Sequence, residues 1–390
     1  MINRRAFIGN TLVALASMSV TSVRAAFISK LSVDTIHDAA LNATIPRGCT
    51  LRVVARTGER VGASDYSWHE LPDGGATFAM PDKGWVYVSN SELNNDRGGV
   101  GAIRFSANGD IIDAYRILDG TNRNCAGGKT PWGTWLSCEE YGEIGQVYEC
   151  DPGGVNPAEV RPAMGSCNHE AAAVDPETHQ VYMTEDIADG CLYRFSPLNK
   201  ADLSKGLLEV AIPDGNKLEW QALIDPAALS APLRQQVPGA AKFQGGEGIV
   251  YSNRHVYFTT KRDDRVWSLN LDSRDLKIVY DGSSLANPIL TGVDNIEVTP
   301  DGELLVAEDG GDMQIIVLDK NYEAVPLVTL HNKPFSEVTG PAFSPDGKRL
   351  YFSSQRGLLG TGGGITYELT FPDQDVRHLA FRPRFRGSRD

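Results

Sequence analysis

Acidic residues recur in this 390-residue chain at the two ends of short apolar segments. His169-Glu170, Gly246-Glu247 and Asp294-Asn295 each open such a segment, as does Thr339-Gly340. Glu92, Cys138-Glu139-Glu140, Glu185-Asp186 and Glu308-Asp309 each follow or close one, and Thr260-Lys261 and Ser354-Gln355 hold the equivalent places. An antiparallel hairpin sets the start of its first strand beside the end of its second. Glu92, Glu139, Glu170, Glu185, Asp186, Glu247, Asp294, Glu308 and Asp309 therefore gather at one edge of their hairpins. If each first strand lines a common axis, they converge on one mouth. So many carboxylates cannot all stay ionised unaided. Hard cations with oxygen ligands relieve the repulsion, and calcium or ferric iron suits such a site far better than zinc. Taken singly, each acid reads as a solvated loop residue; their repetition in register is what points to metal. Cys138 alone reads as a small buried hydrophobe. Closing a strand and followed by two glutamates, it becomes a candidate thiolate ligand for iron.

The elements that must position these groups repeat. Six segments share one pattern, an apolar strand ending in small and polar residues: Val86–Asn90, Thr134–Cys138, Val181–Glu185, Val256–Thr260, Leu304–Glu308 and Leu350–Ser354. Their second members stand at 87, 135, 182, 257, 305 and 351, so the successive intervals are 48, 47, 75, 48 and 46. A period of 46–48 residues with several strands per repeat has the size of a β-propeller blade. Four segments follow a partner strand across a turn, at Asp175–Thr178, Ser252–Arg254, Pro300–Gly302 and Pro345–Gly347. Asp-Gly at such a place is a strong hairpin signal. The expected fold is all-β: a six-bladed propeller whose ring is closed by the N- and C-terminal strands, with a pair of facing sheets as the alternative. The long interval leaves an excess in residues 197–243, where Asp225-Pro226-Ala227-Ala228-Leu229 suggests one short helical insertion between the third and fourth repeats.

Composition narrows the partners. Lys plus Arg total 37 against 50 Asp plus Glu, a formal net charge of −13. Such a surface repels a nucleic-acid backbone. Residues 1–25 read as a leader: Arg4-Arg5-Ala6-Phe7-Ile8, an apolar run from Thr11 to Val23 and small residues for cleavage after Ala25. The run is too short to span a bilayer comfortably. A twin-arginine signal is the expectation, with the twin-arginine export machinery as partner and a periplasmic or secreted destination. Its removal takes three arginines and no acids, so the charge becomes −13 − 3 = −16. Residues 26–390 form one propeller domain in this reading, and no later apolar run suggests stable membrane insertion. Six cysteines in an oxidising compartment allow disulfides, while no CxxC pair or zinc spacing is present.

One stretch is more specific than the repeats. Asn124-Cys125-Ala126-Gly127-Gly128 followed by Thr130-Pro131-Trp132-Gly133-Thr134-Trp135-Leu136-Ser137-Cys138-Glu139-Glu140 resembles the signature of the PhoX-type alkaline phosphatases. His169-Glu170, Thr184-Glu185-Asp186, Gly246-Glu247-Gly248, Asp294-Asn295, Ala307-Glu308-Asp309-Gly310 and Thr339-Gly340-Pro341 are similar to later family blocks. The resemblance runs from about residue 60 to 360. It implies an exported propeller enzyme that hydrolyses small phosphomonoesters with a mixed Fe3+ and Ca2+ cluster. Cys138 would ligate iron, and acids among Glu139, Glu170, Glu247, Asp294, Glu308 and Asp309 would hold the cations. This chain departs from the pattern in two places. Ser91-Glu92 stands where a His-Glu pair is usual, and Gln355-Arg356-Gly357 replaces a Gln-His-Pro-Gly block.

Phosphate-ester cleavage needs charge stabilised on the phosphoryl oxygens and an in-line nucleophile. A bare carboxylate ring repels that substrate, whereas a ring filled with cations attracts it. Lys261 and Arg262 close the fourth repeat at this rim and Arg356 closes the sixth, which makes them candidates for catalytic contacts to phosphate oxygens; the bland alternative is surface solvation. Two rivals use the same blades. A calcium-dependent lactonase or esterase would need calcium without iron and no role for Cys138, and a non-catalytic binding propeller would use the mouth for docking. No GxSxG elbow, P-loop or Rossmann fingerprint is present.

Overall fold

The computed structural model describes residues 34–357, 359–360 and 362–372. The expected leader at 1–25 lies outside the described residues. Six sheets form six blades. Their first strands are Pro72–Ala79, Asn124–Lys129, His169–Val174, Gly246–Ser252, Val293–Val298 and Val338–Phe343. Each touches the first strand of the next sheet, and the sixth touches the first, so these six strands line the axis. The second strands are Trp85–Ser91, Trp135–Glu139, Val181–Glu185, His255–Thr260, Leu304–Glu308 and Arg349–Ser354, and they carry the six repeated segments read from the sequence.

Second strands are buried along nearly their whole length because both faces of each sheet are covered by neighbouring blades. Alternation along a strand therefore feeds two different cores. In the first blade Tyr87 packs toward the sixth blade with Tyr351, while Val86 and Val88 pack toward the second with Trp135. One apolar cluster lies between each pair of neighbouring blades.

The ring is closed by strands from both ends of the described chain. Thr50–Arg56 forms the outer strand of the sixth blade, paired with Ile365–Thr370. Thr35–Asp38 and Ala43–Pro46 extend the fifth blade to six strands. The excess between the third and fourth repeats is built of strands, turns and loop. Asp202–Asp214 and Lys217–Ala222 pair as a long ribbon that makes the third blade five-stranded. Its only helical element is a single 3-10 turn at Leu233–Gln235. Asp225–Leu229 forms turns, because the Asp225 carboxylate accepts the Ser230 backbone N–H (2.6 Å) and hydroxyl (2.7 Å) and turns the chain at once.

One irregularity recurs in every blade. Each first strand loses register with its second strand near its start: between Pro72 and Gly75, Asn124 and Gly127, His169 and Ala172, Gly246 and Ile249, Val293 and Ile296, and Thr339 and Ala342. Such bulges bend a strand and re-aim a side chain. Here they all fall at the same end of the axis.

Candidate metal centre

The bulged residues Asp73, Cys125, Glu170, Glu247 and Asp294 meet at this end. They form four groups whose ligand atoms lie within 4.8 Å of one another: Cys125, Glu140 and Glu170; Asp73, Glu92 and Glu337; Glu170, Glu247 and Asp294; Asp294, Asp309 and Glu337. Glu170, Asp294 and Glu337 each belong to two groups, so the four merge into one patch of eight carboxylates and one thiol.

Neighbouring blades hold the bulges in place. A bulge frees a carbonyl from the ladder, and a buried carbonyl needs a donor. The Thr184 hydroxyl of the third blade donates to the Glu247 carbonyl of the fourth (2.5 Å), and Thr259 of the fourth donates to Asp294 of the fifth (2.6 Å). Asn90 of the first blade donates to the carbonyls of Cys125 (3.1 Å) and Ala126 (2.8 Å) in the second. Close backbone approach at the same level leaves no room for a side chain: a Cβ on Gly74 would lie 2.4 Å from the Ala126 Cα.

The second strands sort their acids by a one-residue phase. The last strand residue binds its own blade, and the next faces the mouth. Glu139 accepts the backbone N–H groups of Asn122 (2.8 Å) and Gln146 (3.1 Å); Glu308 accepts those of Thr291 (2.9 Å) and Gln314 (3.1 Å). Glu185 accepts the Tyr193 hydroxyl (2.7 Å), the Cys191 N–H (3.2 Å) and Arg234 (3.0 Å). These three acids are loop and core clamps and stand apart from the four groups. Glu92, Glu140 and Asp309 occupy the following position and enter them. Asp186 takes the same position in the third blade; it lies outside the groups, although its charge helps to raise Glu140, Glu247 and Asp294.

Cys138 corrects the expected thiolate. It is fully buried among Leu136, Val147, Met164, Cys167 and Met183, between the second and third blades. The strand pleat turns Cys138 with Leu136 into the core, whereas the bulge aims Cys125 at the mouth. Cys125 Sγ lies 3.6 Å from Asp73 Oδ2.

Three cations answer the acids. Lys261 Nζ lies 2.9 Å from Glu247, 3.1 Å from Asp309 and 3.6 Å from Asp294. Arg356 pairs with Glu337 (2.8 Å) and reaches Glu92 (3.7 Å). Arg123, which carried no role in the sequence reading, bridges Glu92 (3.1 Å) and Glu140. It sits in the turn joining the first two blades with φ +46°, a left-handed conformation that non-glycine residues seldom hold. Arg262 stands apart: its backbone N–H bonds Gln244, its stem lies beside Gly245, and it makes no ion pair with the described residues. The Gln355 amide donates to Asp73 (2.5 Å) and Glu92 (2.9 Å).

Electrostatics show how incompletely these cations compensate. Burial, then the charges of Glu247, Asp294, Glu140 and Asp73, holds Glu170 well above the carboxylate range. Burial and neighbouring acids raise Asp73 and Glu337 in the same way. Burial lifts Glu140 to about 7 and Asp294 to about 6 against the pull of Arg123 and Lys261 respectively. Burial also pushes the Cys125 thiol up, and Asp73 and Glu170 push further. Both Glu170 oxygens are buried without a hydrogen-bond partner. A buried acid without a donor is costly. Added positive charge is what this patch lacks, and its donor set fits hard cations with one thiolate-accepting position.

The sequence profile described as "Alkaline phosphatase PhoX" matches residues 74–144 and 142–275, more than half of the chain. Among solved structures, Pseudomonas fluorescens PhoX in complex with vanadate, a transition state analogue, superposes with a TM-score of 0.72 at 18% identity. The match covers 87% of this chain and 98% of that one. A structural genomics protein of unknown function from Bacteroides thetaiotaomicron superposes with a TM-score of 0.51 at 11% identity, over 83% of this chain and 76% of that one. No curated protein sequence matches. With bulged strands delivering acids to one mouth and the profile spanning the blades that carry most of them, the chain belongs to the PhoX alkaline phosphatase family.

Proposed function

We propose that this protein is a metal-dependent phosphomonoester hydrolase whose mouth holds ferric iron and calcium. The observation that carries the reading is Glu170: a fully buried carboxylate with both oxygens unpartnered, shared between an all-carboxylate group and one containing Cys125. Cys125, Glu140 and Glu170 would hold iron. Asp73, Glu92, Glu247, Asp294, Asp309 and Glu337 would hold calcium. Bound cations supply the Lewis acidity that draws phosphoryl oxygens and acidifies an attacking water.

The chain's own groups do the rest. Arg123 and Arg356 flank Glu92, so two guanidinium groups face the same part of the mouth. A guanidinium presents paired donors matched to phosphate oxygens. Lys261 adds a point charge from the fourth blade. These three orient the phosphoryl group. Vanadate bound to the Pseudomonas fluorescens relative supports phosphoryl chemistry for this fold. Export through a twin-arginine signal at residues 1–25 belongs to the same reading and places the enzyme in the periplasm or outside the cell. Among the described residues no helix is long and apolar enough to cross a membrane.

Elemental analysis of protein purified without chelators, beside turnover of p-nitrophenyl phosphate at alkaline pH, tests the reading. Iron and calcium with turnover are expected. Protein loaded with both metals that hydrolyses no phosphomonoester would defeat it.

A further inference from the structure

The position after the second strand holds Glu92, Glu140, Asp186, Lys261, Asp309 and Gln355 in blade order. Four blades place an acid there, one an amide, and the fourth blade a lysine. Lys261 thus puts an ammonium where the ring otherwise puts carboxylates. Its backbone is pinned, with its N–H donating to the Gly245 carbonyl (2.8 Å) at the start of the 3-10 turn Lys261–Asp263. Only its side chain is free to move. Its Nζ lies within 3.6 Å of Glu247, Asp294 and Asp309, and those three acids span two of the four candidate cation groups.

Calcium bound to carboxylate oxygens sits about 2.3–2.6 Å from each and takes 6–8 oxygen ligands. An ammonium at ion-pair distance from the same three oxygens fills the same space and satisfies the same lone pairs. The geometry points to Lys261 as a resident counter-ion that a cation must displace from Glu247, Asp294 and Asp309. Before metal arrives, Lys261 keeps these three acids from repelling one another. On binding, its ammonium leaves the carboxylates while its backbone stays at the rim, which releases a positive charge into the mouth where phosphate would dock. One side chain therefore serves as a placeholder in the metal-free protein and as a phosphate contact in the loaded one. The exchange rests on the metal-bearing mouth proposed above.

The test is calcium affinity measured calorimetrically on chelated protein, for wild type, Lys261→Met, Lys261→Arg and Lys83→Met. Lys83 is exposed on a hairpin turn of the first blade and controls for the loss of one positive charge. Lys261→Met should bind calcium about tenfold tighter than wild type, since three ion pairs no longer compete. Lys261→Arg should stay near wild type or bind more weakly, and Lys83→Met should change little. Melting adds a second readout that does not depend on turnover. Lys261→Met should melt below wild type in chelator and at or above it in saturating calcium. Equal affinity of Lys261→Met and wild type, or an equal gain in Lys83→Met, overturns the exchange but leaves the metal-bearing mouth intact. Wild-type protein that binds no calcium at all overturns both.

Discussion

Cys125 and Cys138 sit thirteen positions apart in one motif, yet they meet opposite environments. Cys125 shares the mouth with Glu140 and Glu170, while Cys138 is sealed in an apolar cluster. Their serine variants should separate cleanly. Cys125→Ser exchanges a thiolate ligand for a neutral hydroxyl, so iron should be lost, most calcium kept, and turnover reduced at least ~100-fold. Cys138→Ser buries a hydroxyl with no partner, costing roughly 1–3 kcal/mol of stability while metal content and turnover persist. Iron retained in Cys125→Ser, or lost only in Cys138→Ser, would reverse the assignment. Legibility at this scale was uneven. Glu92, Glu170, Glu247, Asp294 and Asp309 were readable because each flanks a recognisable strand. Asp73 was missed because the first blade's inner strand, Pro72–Ala79, opens on Pro72-Asp73-Gly74-Gly75 and lacks an alternating apolar pattern. Glu337 lies one residue before its strand, and Arg123 acts from a turn.

Strands and turns explain why acids of one type divide into two trades. Glu139, Glu185 and Glu308 were expected at the mouth, and the pleat turns them into their own blades. Strand-end position is visible in a sequence, but its phase is not, since a single bulge reverses which neighbour faces the axis. Opposite the mouth, hairpin turns set a different problem. Glu303 follows the Pro300–Gly302 turn, and burial with the nearby Asp301 raises it to about 7. Its Oε2 has no hydrogen-bond partner. Folded protein therefore keeps this proton up to about pH 7, whereas the unfolded chain releases it near the ordinary glutamate value of 4.5. Stability from this group is highest below that lower value and falls as pH rises toward 7. Glu303→Gln should melt with the wild type at pH 4 and about 1–3 °C above it at pH 7.5. A gain of equal size at both pH values would show that ionisation is not the cause.

The whole ring depends on a junction between distant parts of the chain. Thr50–Arg56 pairs with Ile365–Thr370, and Arg52 clamps Glu368 through Nε (2.9 Å) and Nη2 (2.8 Å). The six-fold period made this architecture readable, because every blade must solve the same packing problem against its neighbours. Asp225–Leu229 alone suggests a helical insertion, although the long ribbon Asp202–Ala222 carries its regular structure. Polar residues such as Lys205, Glu219 and Gln221 lie on that ribbon's open parts and blur its alternation. At this scale the proposed leader makes its own prediction. Replacing Arg4 and Arg5 together by Lys should leave the precursor in the cytoplasm, because the targeting machinery reads paired guanidinium groups. Export of the double variant at the wild-type level would remove the twin-arginine assignment.

Arg52 and Glu368 stand 316 positions apart. A ribosome releases the chain in order, so the outer strand of the closing blade, made before the other three, waits for nearly everything else to be made. Until Ile365–Thr370 emerges, Thr50–Arg56 has no partner and the apolar seam between the fifth and sixth blades lies open. Pairing over such separations pays its loop-closure entropy before any contact rewards it, which makes the final step slow. A pore that threads unfolded polypeptide would draw Thr50–Arg56 away before its partner existed. A route that carries finished proteins lets the ring close first, with both chain segments on the same side of the membrane.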